Sequence, residues 1–291
     1  MRDDYLIVTD STTDLTQEFA DKLGLVIVPY LFNLDGKEYY DYPDRRELSI
    51  RDFYDALRDG KTASTSLVTK QRYEEVFRPH LASGKDVIYL CLSTGLSSSY
   101  SQCELAAEEL LREYPERKLI TIDSLGASMG QGLMAYYASK ARDEGKTITE
   151  NADYIREIIR TTCHWVSVDD LKHLRRGGRV SGASAFMGTI LNIKPIIHMD
   201  EEGRLIPVAK IRGWANVFDY LGKRIEETMI EPKDQIIFIS HSDSEETAKK
   251  LAEYLLNRFG PRQIEINTIG PVIGAHTGPG TIALFYLGSK R

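Results

Sequence analysis

Along the first half of the chain, short apolar runs alternate with stretches in which apolar positions recur every three or four residues. Tyr5-Leu-Ile-Val-Thr9 is one such run, ended by the polar turn Asp10-Ser-Thr-Thr-Asp14. Leu15, Phe19 and Leu23 then share one face of a helix that Gly24 ends. Leu25–Phe32 reads as the next strand. Asn33–Tyr40, with Asp35-Gly36 between apolar residues, reads as a hairpin. Leu48–Leu57 predicts a helix capped by Ser49, with Asp52 three residues on. Val87–Leu92 is a strand that runs into the turn Ser93-Thr-Gly-Leu-Ser-Ser-Ser99. Cys103, Ala106, Ala107, Leu110 and Leu111 follow at helical spacing, and Leu119–Ile122 is a further strand. Strands alternating with helices predict βαβ units and a parallel sheet.

The second half has a different rhythm. Glu150–Ile159 is amphipathic and helical, Trp165–Val168 is a strand, and Leu171 and Leu174 lie one turn apart on a helix that Gly177-Gly178 ends. Ile196–Met199 and Leu205–Ile211 flank a turn at Glu201-Glu-Gly203, and Gln235–Ser240 and Gln263–Ile269 are two more strands. Val217–Glu227 and Glu245–Arg258 are the helices between them. This order predicts an α+β layer with a largely antiparallel sheet. The expected architecture is therefore α/β: a Rossmann-like, mostly parallel sheet over residues 1–160 and an α+β domain over residues 161–291.

Composition narrows the function classes. At 291 residues the chain exceeds the size at which single cores usually stop growing, which favours two domains. A formal net charge of −6 argues against broad nucleic-acid binding, although Lys172–Arg179 is locally basic. Cys91, Cys103 and Cys163 are odd in number and lack C-x-x-C spacing, so neither a disulfide framework nor a zinc site is expected, and reduced thiols in the cytoplasm are. The apolar run near the N-terminus is too short for a signal peptide, and no stretch approaches the 18 apolar residues of a membrane span.

Three strands end in hydroxyl or carboxylate residues: Thr9–Ser11, Ser93–Ser97 and Asp123–Ser124. In open α/β sheets ligands bind beyond the carboxyl ends of strands, at a topological switch point. Neither G-x-G-x-x-G nor a P-loop is present, which disfavours nucleotide binding by those routes. Ser97, Ser98 and Ser99 stand where a helix N-terminus presents free N–H groups. They suit either an anion site or an ordinary cap. Gly126–Ala138 is a helix rich in small residues, suited to close packing on a sheet or to an elongated apolar ligand flanked by Met129 and Met134. Phe186, Met187, Ile190, Leu191 and Ile193 form core or the wall of an acyl pocket. Arg175 and Arg176 offset a helix C-terminus, and Arg179 lies past the Gly pair, where the backbone can approach a ligand closely. Four Gly and two Pro frame His276 in what reads as a shaped loop over Ile269–Gly280.

Taken in order, Thr9-Asp-Ser-Thr-Thr-Asp-Leu15, Thr65-Ser66, Leu92-Ser-Thr-Gly-Leu-Ser97, Asp123-Ser124, Leu171-x-x-Leu-x-x-Gly-Gly-Arg179 and His276-Thr-Gly-Pro-Gly280 resemble the DegV family of bacterial fatty-acid-binding proteins, including the FakB-type subunits of fatty acid kinase. The resemblance spans essentially the whole chain. It implies a two-domain α/β protein that buries one long-chain fatty acid, such as palmitate, stearate or oleate, between its domains. It implies a carboxyl group held by Thr65, Ser97 and His276, with Ser66, Ser93, Thr94, Arg179 and Thr277 in supporting or partner-facing places. It further implies presentation of that carboxyl to a dihydroxyacetone-kinase-like fatty acid kinase for acyl-phosphate formation and phospholipid synthesis. Transient membrane contact is compatible with it, and no cofactor or metal is implied. Leu67-Val-Thr69 stands where the family often has Gln-Pro-Ser, and Ser98-Ser99 where it often has Gly-Thr.

An enzymatic alternative rests on the same residues. Asp10 after the first strand is placed like the nucleophile of an aspartyl phosphotransferase, with a second Asp four residues on rather than two. A Ser97–His276–Asp123 set is conceivable for hydrolysis, without a G-x-S-x-G elbow to support it.

Overall fold

The apolar runs of the first half pair edge to edge, all in one direction. In the computed structural model, which describes residues 5–169, 171–180 and 192–291, β1 (Tyr5–Asp10) leads through a 3₁₀ turn to α1 (Gln17–Lys22) and β2 (Leu25–Val28). Thr16 caps α1 by accepting from the Phe19 N–H, and Gly24 leaves the helix at φ +60°. The expected single strand Leu25–Phe32 is in fact two. Pro29 has no N–H to give to a ladder, and β3 (Leu31–Leu34) turns away to pair with β4 (Lys37–Tyr40) through the Asp35-Gly36 turn. Both turn residues have positive φ, as a two-residue hairpin demands.

Ser49 caps α2 (Ile50–Arg58), as its spacing to Asp52 predicts. The hydroxyl-rich stretch after it is not a bare turn: Ala63–Thr65 is β5, and it pairs antiparallel with β3. α3 (Lys70–Ala82), β6 (Asp86–Cys91), α4 (Ser99–Glu113) and β7 (Leu119–Asp123) complete the parallel layer, in the order β2-β1-β6-β7. From β1 the chain builds outward to β2, then crosses back to place β6 on the other side of β1. The switch point therefore lies between the ends of β1 and β6, at Asp10 and Ser93.

α5 (Ser128–Asp143) and α6 (Ile148–Ile159) follow, then β8 (Thr162–Ser167), α7 (Lys172–Gly177), β9 (Ile193–Met199), β10 (Leu205–Arg212), α8 (Trp214–Thr228), β11 (Ile236–His241), α9 (Glu245–Phe259), β12 (Gln263–Thr268), α10 (Pro271–Thr277) and β13 (Ile282–Leu287). The second sheet runs β10-β9-β8-β13-β11-β12 and is antiparallel except for β11 with β12. Its inner strand β13 escaped the sequence reading, although Ile282-Ala-Leu-Phe-Tyr-Leu287 is an unbroken apolar run. Ile269–Gly280 was expected as a loop, but Pro271 at the first helical turn starts α10, and Gly278 at φ +73° ends it.

α5 lies between the two sheets. One apolar core joins Ile7, Ile88 and Leu133 of the first half to Ile236, Phe238 and Phe285 of the second. A Cβ on Gly130 would stand 2.1 Å from His164 Nε2, and one on Gly132 would stand 3.0 Å from Leu15. Close packing accounts for these two glycines, and Met129 and Met134 are core residues of that contact. Phe186, Met187, Ile190 and Leu191 lie outside the described residues. Cys91, Cys103 and Cys163 are free thiols, all buried. Among the described residues no helix is long and apolar enough to cross a membrane.

Candidate functional site

A cavity of about 280 Å³ opens beside the switch point, between Tyr30, the end of β5, the loop that follows β6 and the α7–α10 pair of the second half. Thr65, Ser66, Ser97, Arg179, His276 and Thr277 all line it. Thr65 and His276 are 211 residues apart in sequence, yet Thr65 Oγ1 is 2.9 Å from His276 Nε2. Thr65 is carried by the last residue of β5, and its neighbour in β3 is Phe32. Ser97 sits in the turn after β6, where its backbone N–H reaches Ser93 O and its Oγ accepts from the Ser99 N–H at 3.2 Å. The hydroxyls of Ser97 and Ser99 are 3.0 Å apart, and Ser99 in turn receives the Val68 N–H. At the two departures from the family pattern, Leu67 thus lines the cavity, Val68 is buried, and Ser99 joins the two loops.

Below these polar groups the wall is apolar: Leu92, Leu96, Leu174, Leu205, Val272 and Ile273 face the space. Ala127, Leu174, Leu205, Ile273 and Thr277 also line a narrower space that runs deeper, between Val166, Met199, Ala283 and Phe285. Strand alternation explains the last two. Ala283 and Phe285 face α5, while Ile282 and Leu284 face the outer core. A polar mouth therefore adjoins an apolar arm of about 40 Å³, with shared walls, at the junction of the two halves.

The helices that carry the mouth interlock through glycine. A Cβ on Gly177, the last residue of α7, would lie 2.3 Å from His276 Nδ1. A Cβ on Gly278 would lie 2.4 Å from His173, and one on Gly280 would lie 2.3 Å from Asp169. Gly177 thus seats His276, while Gly278 and Gly280 make room for His173 and Asp169. Arg179 closes the same side: its Nε donates to Leu96 O at 3.2 Å and its Nη1 to Gly177 O at 2.6 Å. α10 is held from below, since the Gly270 N–H reaches Asp14 Oδ1 at 2.7 Å and the Tyr54 hydroxyl donates to Ile269 O.

Burial, then the charges of Arg179 and Arg176, push the His276 imidazole down to about 4, so the ring is neutral near pH 7. Its Nδ1 is buried with no hydrogen-bond partner. Burial pushes Asp14 up to about 8 against the hydrogen bonds it accepts from Ser128 and Gly270. Tyr30, which the sequence reading missed, lines the cavity with a buried hydroxyl that lacks a partner and lies near Ser97 and Ser99. Its only sequence signal is its place after Pro29, where the strand breaks.

The other candidate residues are elsewhere. Ser93 is buried, and its hydroxyl donates to Gly203 O at 2.8 Å, clamping the β9–β10 turn onto the β6 loop. Exposed Thr94 donates to Asp123 Oδ2 at 2.5 Å and faces away from the cavity. Asp10 is fully buried and accepts from the Thr12 and Leu92 N–H groups and the Tyr89 hydroxyl at 3.0–3.1 Å. It also caps the 3₁₀ turn that follows β1. Such a carboxylate has no free face for attack. Asp123 is engaged by Thr94 and the Leu125 N–H rather than by His276, so no Ser97–His276–Asp123 relay is assembled. Among the described residues no cluster of His, Cys, Asp and Glu could hold a metal ion.

A family model described as "Uncharacterised protein, DegV family" matches residues 5–289. A DegV domain-containing protein of Clostridium perfringens is 38% identical over 287 residues, covering 99% of this chain and 98% of its own. A fatty-acid-binding DegV family protein from Thermus thermophilus superposes with a TM-score of 0.88 at 31% identity, over 98% of this chain and 99% of that one. A DegV lipid-binding protein from Thermotoga maritima gives a TM-score of 0.88 at 26% identity, over 99% of both chains.

Proposed function

The chain belongs to the DegV family, and on that premise we propose that it is a carrier, without catalytic activity of its own, that buries one long-chain fatty acid with its carboxyl group at Thr65, Ser97 and His276. The observation that carries this reading is the continuity of a hydroxyl-lined mouth with an apolar arm. Each methylene taken from water is worth about 0.8 kcal/mol, so a chain of about fifteen contributes roughly 12 kcal/mol before the costs of association. A carboxylate at the mouth needs donors, because an unpaired buried charge is costly. When His276 Nε2–H donates to Thr65 Oγ1, the Thr65 hydroxyl proton is free to point at the ligand. Ser97 and the Tyr30 hydroxyl supply further donors from the opposite wall. His276 is then a positioning residue for Thr65 as well as a neighbour of the anion.

The carboxyl end is also the accessible end. A second depression of about 330 Å³, lined by Asn33, Ser64, Arg176 and Arg179, shares Thr65 and His276 with the cavity. That access supports presentation of the carboxyl to a dihydroxyacetone-kinase-like fatty acid kinase in the cytoplasm, with the acyl phosphate passing to phospholipid synthesis. Mass spectrometry of lipid extracted from purified protein tests the binding. One long-chain fatty acid per chain is expected, with Thr65→Ala and Ser97→Ala each retaining at least about tenfold less after competition with vesicles. Full occupancy in both variants would overturn the site assignment. Acyl-phosphate formation with purified kinase and ATP tests the presentation step.

A further inference from the structure

α5 connects two cavities. Ala127, at its N-terminal end, lines the acyl cavity, while Tyr137 and Lys140 near its other end line a second space of about 560 Å³. This second cavity opens where α5 and α6 meet the start of β12 and plays no part in holding an acyl chain. Its walls carry the half-buried rings of Tyr137 and Tyr154. Beneath them the Tyr136 ring lies 5.3 Å from that of Tyr137, and its hydroxyl accepts from Arg262 at 3.2 Å. Lys140, Lys146 and Arg262 line the rim, with Glu144 as the single carboxylate. The ammonium groups of Lys140 and Lys146 each stand 5.7 Å from a tyrosine ring centre.

On this chain of net charge −6 many such cations are spent. Lys70 pairs with Glu74, Arg78 with Glu113, Lys249 with Glu245 and Arg258 with Glu226. Among the described residues, none of the three rim cations pairs with a carboxylate. Lys140 also offsets the negative end of α5, but that explains neither Arg262 nor the concave space between the rings. The Lys146 loop is fixed rather than loose, because Lys146 O accepts from the Tyr5 hydroxyl and Glu150 completes the cap of α6.

We propose that this cleft binds a nucleoside mono- or diphosphate, its base against the Tyr137 and Tyr154 rings and its phosphate among Lys140, Lys146 and Arg262. Aromatic faces accept any base, and three cations set against one carboxylate suit an anion of about two negative charges. The enclosed size fits a small molecule rather than a polymer, and the chain's net charge opposes an extended nucleic acid. The proposal is independent of the lipid reading.

Titration calorimetry of the intact protein with ADP, adenosine and pyrophosphate tests it. ADP is expected to bind saturably, with adenosine and pyrophosphate each at least about tenfold weaker. Tyr154→Leu and the exposed pair Lys140→Gln with Arg262→Gln should each weaken ADP at least about tenfold while leaving retained lipid unchanged. The exposed pair keeps the test available if Tyr154→Leu fails to fold. No saturable heat at millimolar ADP, pyrophosphate binding as tightly as ADP, or ADP binding untouched by the exposed pair would each overturn the proposal.

Discussion

Gly177→Ala and Gly178→Ala place the same methyl group on adjacent residues, with opposite consequences expected. At Gly177 the new carbon would stand 2.3 Å from His276 Nδ1 and 3.2 Å from Cε1. Ordinary contact needs roughly 1 Å more, so the imidazole must swing away. Its Nε2 then leaves Thr65 Oγ1, from which it is 2.9 Å. A neutral hydrogen bond of this kind is worth about 0.5–1.5 kcal/mol, or roughly two- to tenfold in ligand retention. Global stability should change less than retention does. Alanine in the last turn of α7 gains about 1 kcal/mol of helix propensity, which offsets part of an overpacking cost of about 1–3 kcal/mol.

Gly178 is the control. It ends α7 at φ +69°, and a Cβ there would meet nothing within 4 Å. Alanine pays about 1–2 kcal/mol for the left-handed backbone and leaves the imidazole in place. Urea unfolding paired with displacement of a fluorescent fatty acid separates the two. Gly177→Ala should lose retention with a small stability change, and Gly178→Ala should lose stability with retention intact. Equal retention in both variants, or a greater loss in Gly178→Ala, would refute the claim that Gly177 exists to seat His276.

Three further outcomes follow from the same geometry. Because the His276 pKa is about 4 in the folded chain against an ordinary 6.5, its contribution is complete above pH 6.5 and is lost as pH falls toward 4. Lipid-free protein should lose roughly 3 kcal/mol relative to His276→Gln over that interval, read by urea unfolding at each pH. Asp14 runs the other way: with its pKa at about 8 against an ordinary 3.8, its contribution is present below pH 3.8 and lost as pH rises to 8. Asp14→Asn, which keeps a partner for both Ser128 and Gly270, should therefore gain on the parent protein as pH rises, and a constant difference would contradict the burial argument. Ala127→Leu should narrow the passage that Ala127 shares between mouth and arm. It should shift retained lipid to shorter chains at a cost of about 1–3 kcal/mol in stability, and an unchanged lipid profile would show that the chain takes another path.

Local signals carried most of the fold. Ser49 with Asp52, the Asp35-Gly36 turn and the alternation of runs with helical spacings each specify an element without help from distant residues. The misreadings have physical causes. Ala63–Thr65 went without an element because three residues are too few for a strand pattern, and only pairing with β3 makes them a strand. Gly and Pro density hid α10, whose glycines serve contacts with Tyr54, His173 and Asp169 rather than a loop. Of the candidate site, Ser97 stood out at a helix start and His276 in a Gly-framed stretch, but their grouping with Thr65 came from a resemblance, since no local rule links residues 211 positions apart. Tyr30 was invisible for a related reason, and Gly177 showed only as the end of a helix: each matters through what it faces.

Among the described residues, no charged side chain of the protein is buried in the mouth. Arg179 and Arg176, which could have formed an ion pair with a carboxylate, are exposed, and Arg179 spends its guanidinium on the Leu96 and Gly177 carbonyls. Their charges instead help keep His276 neutral. A carboxylate in the mouth therefore meets hydroxyls and a neutral ring that gains a proton more readily once the anion is present. On the proposed reading, the oxygen atoms held this way keep most of their negative charge and stay open to an incoming phosphoryl group, whereas a bidentate arginine would occupy both. On that reading the apolar walls supply the affinity and the neutral donors supply orientation, so the ligand is held tightly at one end and left reactive at the other.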